Sequence, residues 1–265
     1  MAQKYLIFYR DFTHLNTYFS FSMNPTVVVI PTYNEAENIQ RIIKVILALP
    51  LAVDVLVVDD NSPDKTAWIV KEMMGDYPQI HLLEREKKEG LGPAYVHGFS
   101  WALEKHYTYL FEMDADFSHP PKALEPMFEI LSQDKADVVV GSRYKRGIRV
   151  REWPISRIAL SVGASLYVRL ITRLPVADPT AGFVGYHTKV LKSLDLSEIK
   201  FKGYAFQIAL KFNAWQKNFR IVEFPITFTD RTKGESKMNT SIISEAIFGI
   251  VVMKWRSIFK KNNDK

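Results

Sequence analysis

Apolar runs almost unbroken by polar residues constrain this chain most. Residues 26–30, 54–58, 109–113 and 137–140 are dominated by Val, Ile, Leu and Phe, and each run gives way abruptly to a polar loop. A strand with one wet face alternates apolar and polar positions, whereas a solid run is buried on both faces. Helical patterns lie between the runs. Over 35–49, Ile39, Ile42, Ile43, Ile46 and Leu47 recur at helical spacing and form one apolar stripe. Pro63 is placed to start a second helix with Ser62 as its cap. Further helices are predicted over 92–105, 121–132, 155–171, 203–216 and 242–259, and shorter strands over 80–83, 183–186 and 220–224. The expected fold class is α/β: one domain, a mostly parallel sheet covered by helices on both faces, then amphipathic helices toward the C-terminus.

Composition narrows the function. Of 265 residues, 47% are hydrophobic, enough for a substantial core, and no linker rich in Gly, Ser or Pro divides the chain. There is no cysteine, which excludes disulfides and thiolate chemistry and is compatible with a reducing cytosol. A net charge of +6 calls for an anionic partner: nucleic acid, a phosphorylated substrate or an acidic membrane. No uninterrupted apolar run reaches the roughly 18–20 residues of a spanning helix. Residues 1–23 lack a clean apolar segment, so no signal peptide is expected. They read as an extension that is disordered or lies upstream of the start used. The catalytic domain is expected over 24–240, with a C-terminal amphipathic helix and basic tail over 241–265.

Three loops leave strand ends carrying polar groups suited to a ligand. The first holds Pro31, Tyr33 and Glu35, the second Asp59 and Asp60, the third Asp114-Ala115-Asp116. Ligands of open α/β sheets bind at the carboxyl ends of the strands. Tyr33 is suited to stacking on a base, and Asp60 to accepting hydrogen bonds from a base or ribose. Two hard carboxylates one residue apart suit Mg²⁺ or Mn²⁺, which would hold a diphosphate. Plain turn chemistry is the alternative for each residue taken singly. A dinucleotide site competes poorly. Gly90-Leu91-Gly92-Pro93-Ala94-Tyr95 has Tyr95 where a third glycine belongs, and it follows the third strand, not the first.

Taken together, these motifs carry a resemblance. Val29-Ile30-Pro31-Thr32-Tyr33-Asn34-Glu35, Val57-Val58-Asp59-Asp60-Asn61-Ser62 and the Gly90 loop resemble inverting family 2 glycosyltransferases of GT-A fold. Met113-Asp114-Ala115-Asp116-Phe117-Ser118-His119, Gly141-Ser142-Arg143-Tyr144, Gly203-Tyr204-Ala205-Phe206-Gln207 and the 230–237 segment resemble the dolichyl- or polyprenyl-phosphate mannosyltransferases in particular. The resemblance implies that Pro31, Tyr33, Glu35, Val58 and Asp60 contact the guanosine of GDP-mannose. It implies that Asp114, Ala115 and Asp116 sit at the diphosphate, with Asp116, Asp114 and Ser118 at the Mg²⁺ or Mn²⁺. Arg143, Arg231 and Lys237 would meet phosphates of donor or acceptor, and Asp114, Asp116 and Arg231 would carry the catalysis. His119 reads as an ordinary loop residue. The sugar moves from GDP-mannose to polyprenyl phosphate with inversion. UDP-glucose as donor is the enzymatic alternative.

The implied acceptor requires contact with a bilayer. Eight Lys and Arg stand against one acid, Glu152, over 141–175, interleaved with Trp153, Ile155, Ile158, Leu160, Leu166 and Tyr167. The helix over 242–259 carries Ile242, Ile243, Ile247, Ile250, Val251, Trp255 and Phe259 ahead of Lys260 and Lys261. Each is either an interfacial anchor or a helix packed on the core. The expected location is cytoplasmic, peripheral at the cytoplasmic face of a membrane, and a membrane-anchoring partner subunit is possible. A nucleic-acid-binding role would explain the charge but not the acids gathered at three strand ends, so no nucleic acid is expected.

Overall fold

The computed structural model describes residues 25–199, 201, 203–230 and 240–263, and in the last helix the side chains of 247–257 and 259. The 1–23 extension, Arg231 and Lys237 lie outside the described residues. The first half alternates strictly: β1 (Thr26–Thr32), α1 (Ile39–Leu47), β2 (Val53–Asp59), α2 (Thr66–Met74), β3 (Ile80–Glu84), α3 (Leu91–Glu104), β4 (Tyr109–Glu112) and α4 (Leu124–Ser132). There follow β5 (Val138–Ser142), β6 (Val150–Arg151), α5 (Ile155–Thr172), β7 (Val184–His187), α6 (Thr188–Ser193), α7 (Tyr204–Gln216), β8 (Ile221–Pro225), β9 (Phe228–Thr229) and α8 (Thr240–Asn263).

Seven strands form one sheet in the order β3-β2-β1-β4-β7-β5-β8, and β6 pairs with β9 in a separate ribbon. The sheet is parallel except for β7, which runs against both β4 and β5. The solid strands are solid because both faces are covered. Alternate residues of β1 and β2 point to opposite sides. Val27, Val29, Leu56 and Val58 pack with Tyr95 and Phe99 of α3 and Phe206 and Leu210 of α7. Val28, Ile30, Val55 and Val57 pack with Ile39, Ile42, Ile43 and Ile46 of α1 and with Met127 of α4. Gly185 of β7 lies against the Phe111 ring of β4, where a Cβ would collide.

Two local expectations need correction. The α1 helix starts at Ile39, not at 35: residues 36–38 form a turn in which Asn38 N–H bonds to the Glu35 carbonyl (3.0 Å), and the N–H groups of Glu35 and Ala36 bond to Thr66 Oγ1 (3.0 Å) and Asp64 (2.9 Å). Ser62 does not cap α2. Its hydroxyl donates to Asp59 (2.6 Å), while Asp64 accepts the N–H of Thr66, where the helix begins. The Gly90 loop serves packing: Gly90 opens α3 at φ 113°, and a Cβ on Gly92 would strike the Phe201 carbonyl. A further difference concerns α5. Its 18 residues have a mean hydropathy of 1.3, enough by length and composition to cross a membrane, although Ser, Gly and Arg break the run.

The edge of the sheet opposite the strand-end loops is tied by charge. Asp137, just before β5, accepts from Arg220 N–H (2.8 Å) and Arg220 Nε (3.1 Å), and Lys189 of α6 lies 2.7 Å away. Although burial opposes its charge, hydrogen bonds from Arg220 and Lys189 hold the Asp137 carboxyl well below its ordinary 3.8. A depressed carboxylate stabilises the fold above its unfolded pKa, and that contribution fades as pH falls. Asp137→Asn is therefore expected to lose about 1–2 kcal/mol at pH 7, discounted for half-exposed partners. Urea unfolding from pH 7 down through pH 4 and below should show the two proteins converge, with activity per folded molecule unchanged.

Candidate active site

Parallel register gathers the strand-end loops at one edge. Thr32 pairs with Asp59, and Asp60 N–H bonds to the Thr32 carbonyl at 3.0 Å. Met113 N–H still bonds to the Val29 carbonyl (3.2 Å), so the 114–118 loop leaves from that same edge. Two antiparallel steps through β7 bring β5 back into the direction of β4, which places Arg143 there as well. The 178–182 loop arrives at this edge because it leads into β7.

At the corner formed by β1 and β2, the two adjacent aspartates divide the work. Asp59 is buried and structural, accepting from Thr32 Oγ1 (2.8 Å), Ser62 N–H (2.8 Å) and Ser62 Oγ (2.6 Å). Asp60 accepts from Arg85 at 2.6 Å. Burial pushes the Asp60 carboxyl up, and Arg85 only partly offsets it. Tyr33 lies 4.1 Å from the Lys88 ammonium at its ring centre. Glu35 accepts from the Asn38 amide (3.0 Å), and Pro31 is half-buried in β1. The Val58 side chain belongs to the core, so only its main chain can face a ligand.

On the loop after β4, Asp116 is buried and accepts from Ser118 N–H (3.0 Å), Ala115 is buried, and Asp114 is 42% exposed. His119 is more than a loop residue. Its Nδ1 accepts the Asp114 N–H (3.1 Å), and its ring stacks on Phe183 (5.2 Å). Burial lowers the His119 pKa to about 4, so the imidazole is neutral and its proton sits on Nε2. The Ser118 hydroxyl is buried without a hydrogen-bond partner. Among the described residues no three acidic or histidine side chains converge as a metal cluster. The donor set of two carboxylates and an unpartnered hydroxyl nonetheless fits a hard cation whose remaining ligands are diphosphate oxygens and water.

Arg143 is placed at the edge, but its fork is already engaged. It donates to Asp178 through Nε (2.7 Å) and a terminal nitrogen (2.6 Å), and to Thr180 (2.8 Å). Asp178 is completely buried, so this bidentate pair fixes the 178–182 loop. Beneath the loop, buried Lys211 of α7 donates to the Ala181 carbonyl (2.7 Å). Burial pushes the Lys211 ammonium down and the nearby Glu112 carboxyl up, and each opposes the other's shift. Thr229 N–H reaches the Ser118 carbonyl (3.4 Å), Phe228 meets the edge of His119 (5.6 Å), and Arg157 of α5 bonds to Asp230 (2.7 Å). The chain therefore enters the 231–239 segment from beside the aspartates.

Known proteins match this arrangement. The glycosyl transferase family 2 model covers residues 27–195. The chain is 45% identical to the polyprenol monophosphomannose synthase of Mycolicibacterium smegmatis, over 85% of each chain. It is 42% identical to the undecaprenyl-phosphate mannosyltransferase of Micrococcus luteus, over 86% of this chain and 93% of that one. The fold is similar to a crystal structure of glucosyl-3-phosphoglycerate synthase from Mycobacterium tuberculosis in complex with Mn²⁺, UDP and glucosyl-3-phosphoglycerate. The TM-score is 0.63 at 15% identity, covering 93% of this chain and 86% of that one. With carboxylates at three parallel strand ends and relatives matched over most of its length, the chain belongs to glycosyl transferase family 2.

Proposed function

We propose that this protein transfers mannose from GDP-mannose to a polyprenyl phosphate, with inversion, giving a β-linked mannosyl phosphoryl polyprenol. The observation that carries the reading is the 45% identity, over 85% of both chains, to a polyprenol monophosphomannose synthase. The site chemistry agrees with it. Asp114, Asp116 and the Ser118 hydroxyl would hold Mg²⁺ or Mn²⁺. When bound, the ion offsets the charge that builds on the departing diphosphate. His119 positions Asp114 through its main chain. Tyr33 and Asp60 receive the nucleoside, with Pro31, Glu35 and the Val58 main chain around it. Arg143 keeps the 178–182 loop in place, which leaves Arg231 and Lys237 to meet phosphate. The attacking oxygen belongs to a phosphate already ionised near neutral pH, so no strong general base is required.

The same reading puts the protein at a membrane surface. The outer side of α5 exposes Ile155 (84%), Leu160, Leu166 and Leu170 (70%), and α8 exposes Phe248 (72%), Val251, Val252, Trp255 and Phe259. The inner side of α5 packs Val168 on Ile208 of α7 and Ile250 of α8, and Tyr167 bonds to the Ile247 carbonyl (2.9 Å). Helices fastened to the catalytic domain along one side, with apolar residues and Arg169 outward and with Arg146, Arg149 and Arg151 exposed on the segment just before α5, suit lying in an anionic interface. We therefore read α5 as an in-plane helix, not a span.

Two measurements test the reading. Asp116→Ala should lower Mn²⁺-dependent transfer of radiolabelled mannose into chloroform-soluble lipid by about 10²–10³-fold, with an unchanged far-UV circular dichroism spectrum. Near-normal turnover, or transfer from UDP-glucose in preference to GDP-mannose, would remove the proposal. Replacing Ile155 and Phe248 together by Asp should weaken co-sedimentation with phosphatidylserine-containing vesicles about tenfold or more, by loss of buried apolar area. Binding that survives the double substitution places the membrane face elsewhere.

A further inference from the structure

Two buried ionisable side chains lie beneath the site and take no part in the reaction as proposed, Lys211 of α7 and Glu112 of β4. Both are completely buried. A buried ammonium is costly, and an apolar side chain of similar length would fill the same space without that cost. What the ammonium supplies that a methionine cannot is a bond: Lys211 Nζ donates to the Ala181 carbonyl (2.7 Å). Glu112 is the acid that acts on it most strongly, ahead of Asp178 and Glu223, and does so through space. The carbonyl that Lys211 holds begins a short path to the aspartate loop. Phe183, two residues on, stacks on His119 with ring centroids 5.2 Å apart, and its own carbonyl accepts the Gly141 N–H (2.8 Å). Gly182 faces the same imidazole: a Cβ there would stand 3.9 Å from His119 Cε1 and 3.9 Å from Gln207 Nε2 of α7. His119 accepts the Asp114 N–H (3.1 Å).

We propose that Lys211 is a positioning residue for the loop of Asp114 and Asp116. By fixing the Ala181 carbonyl it keeps Gly182 and Phe183 against His119, and His119 in turn fixes the main chain at Asp114. This rests on the reading of those two aspartates as ligands of Mg²⁺ or Mn²⁺. Asp116 is buried and held within its own turn by the Ser118 N–H (3.0 Å). Asp114 is the more exposed of the two, at 42%, and its backbone is the part that the imidazole holds. Groups that orient a metal ligand without touching the metal commonly account for about 10–100-fold in affinity. The rival role for Lys211 is electrical, as no more than the charge that balances Glu112. The two roles predict opposite outcomes once both charges are removed together.

Three full-length variants separate the roles: Lys211→Met, Glu112→Gln and the two combined. Lys211→Met leaves Glu112 buried without its cation and should lower the thermal midpoint. The double variant removes both charges, so most of that loss should return. Two readouts are then compared at restored stability. The first is hydrogen–deuterium exchange of peptides covering residues 112–120 in metal-free protein. The second is Mn²⁺ binding in the presence of GDP, followed by the electron paramagnetic resonance signal of free Mn²⁺. In the double variant the 112–120 segment should exchange faster and Mn²⁺ should bind about tenfold more weakly. Glu112→Gln, which keeps the bond to Ala181, should match the wild type in both within about twofold. A double variant that matches the wild type in both readouts, or a Glu112→Gln variant impaired as much as the double, overturns the inference and leaves Lys211 as a counter-charge. A wild type that binds no Mn²⁺ with GDP overturns the metal reading instead, and exchange in the metal-free protein still decides whether Lys211 fixes the loop.

Discussion

A strand buried on both faces can display polar side chains only where it leaves the sheet. That constraint governs this protein. β1 and β2 run through the centre between two helical layers, and their apolar residues are consumed by packing. Because β1, β2, β3 and β4 are parallel, everything they can display appears at one edge. The opposite edge is left to structural ionic ties such as Asp137 with Arg220 and Lys189. The strand-end loops and these ties are thereby separated by the length of the strands.

Glu112 departs from that rule. It sits within β4, two residues before Asp114, and is completely buried. An isolated buried carboxylate is very costly, and here it faces Lys211, Gln207 and Tyr186 from α7 and β7. Lys211 in turn holds the Ala181 carbonyl, and Arg143 holds Asp178 three residues earlier in the same loop. The loop that closes the site is thus gripped from below by an ammonium and from the side by a guanidinium. Removing either cation would leave a buried acid or a carbonyl without its partner, so this polar core ties loop position to the integrity of β4.

Much of the fold was legible because burial on two faces writes a solid apolar run, and the runs at 26–30, 54–58, 109–113 and 137–140 are four strands of the sheet. The aspartate loops were legible for the same reason, as abrupt polar ends. What escaped is what depends on distant partners. The two-residue strands β6 and β9 are too short to leave a pattern. Ser62 looks like a cap until Asp59 claims its hydroxyl. His119 looks like a loop residue because its partner is a backbone N–H five positions earlier. Arg143 was legible as a phosphate ligand by resemblance, yet its nearest anion is Asp178, a lone acid just past a basic stretch. Arg85 left no signal at all, since one arginine in a charged loop is unremarkable until the fold sets it on Asp60.

On the proposed reading, the membrane-side helix α5 and the strand-end edge are joined by a short mechanical path. Arg157, near the start of α5, lies 4.0 Å over Trp153 and bonds to Asp230. Asp230 follows β9, which pairs with β6 and touches the 114–118 loop through Thr229 and Ser118. Arg231 comes next in the chain. A load on α5 would therefore reach the loop of Asp114 and Asp116 through one ion pair and a two-residue ribbon. A lipid-borne phosphate stays at the interface while the nucleotide comes from water, so the acceptor must be met by whatever part of the site is fixed relative to the bilayer. Under the proposed reading the part fixed in that way is the β6–β9 ribbon, and the aspartate loop it touches is where the two substrates would meet.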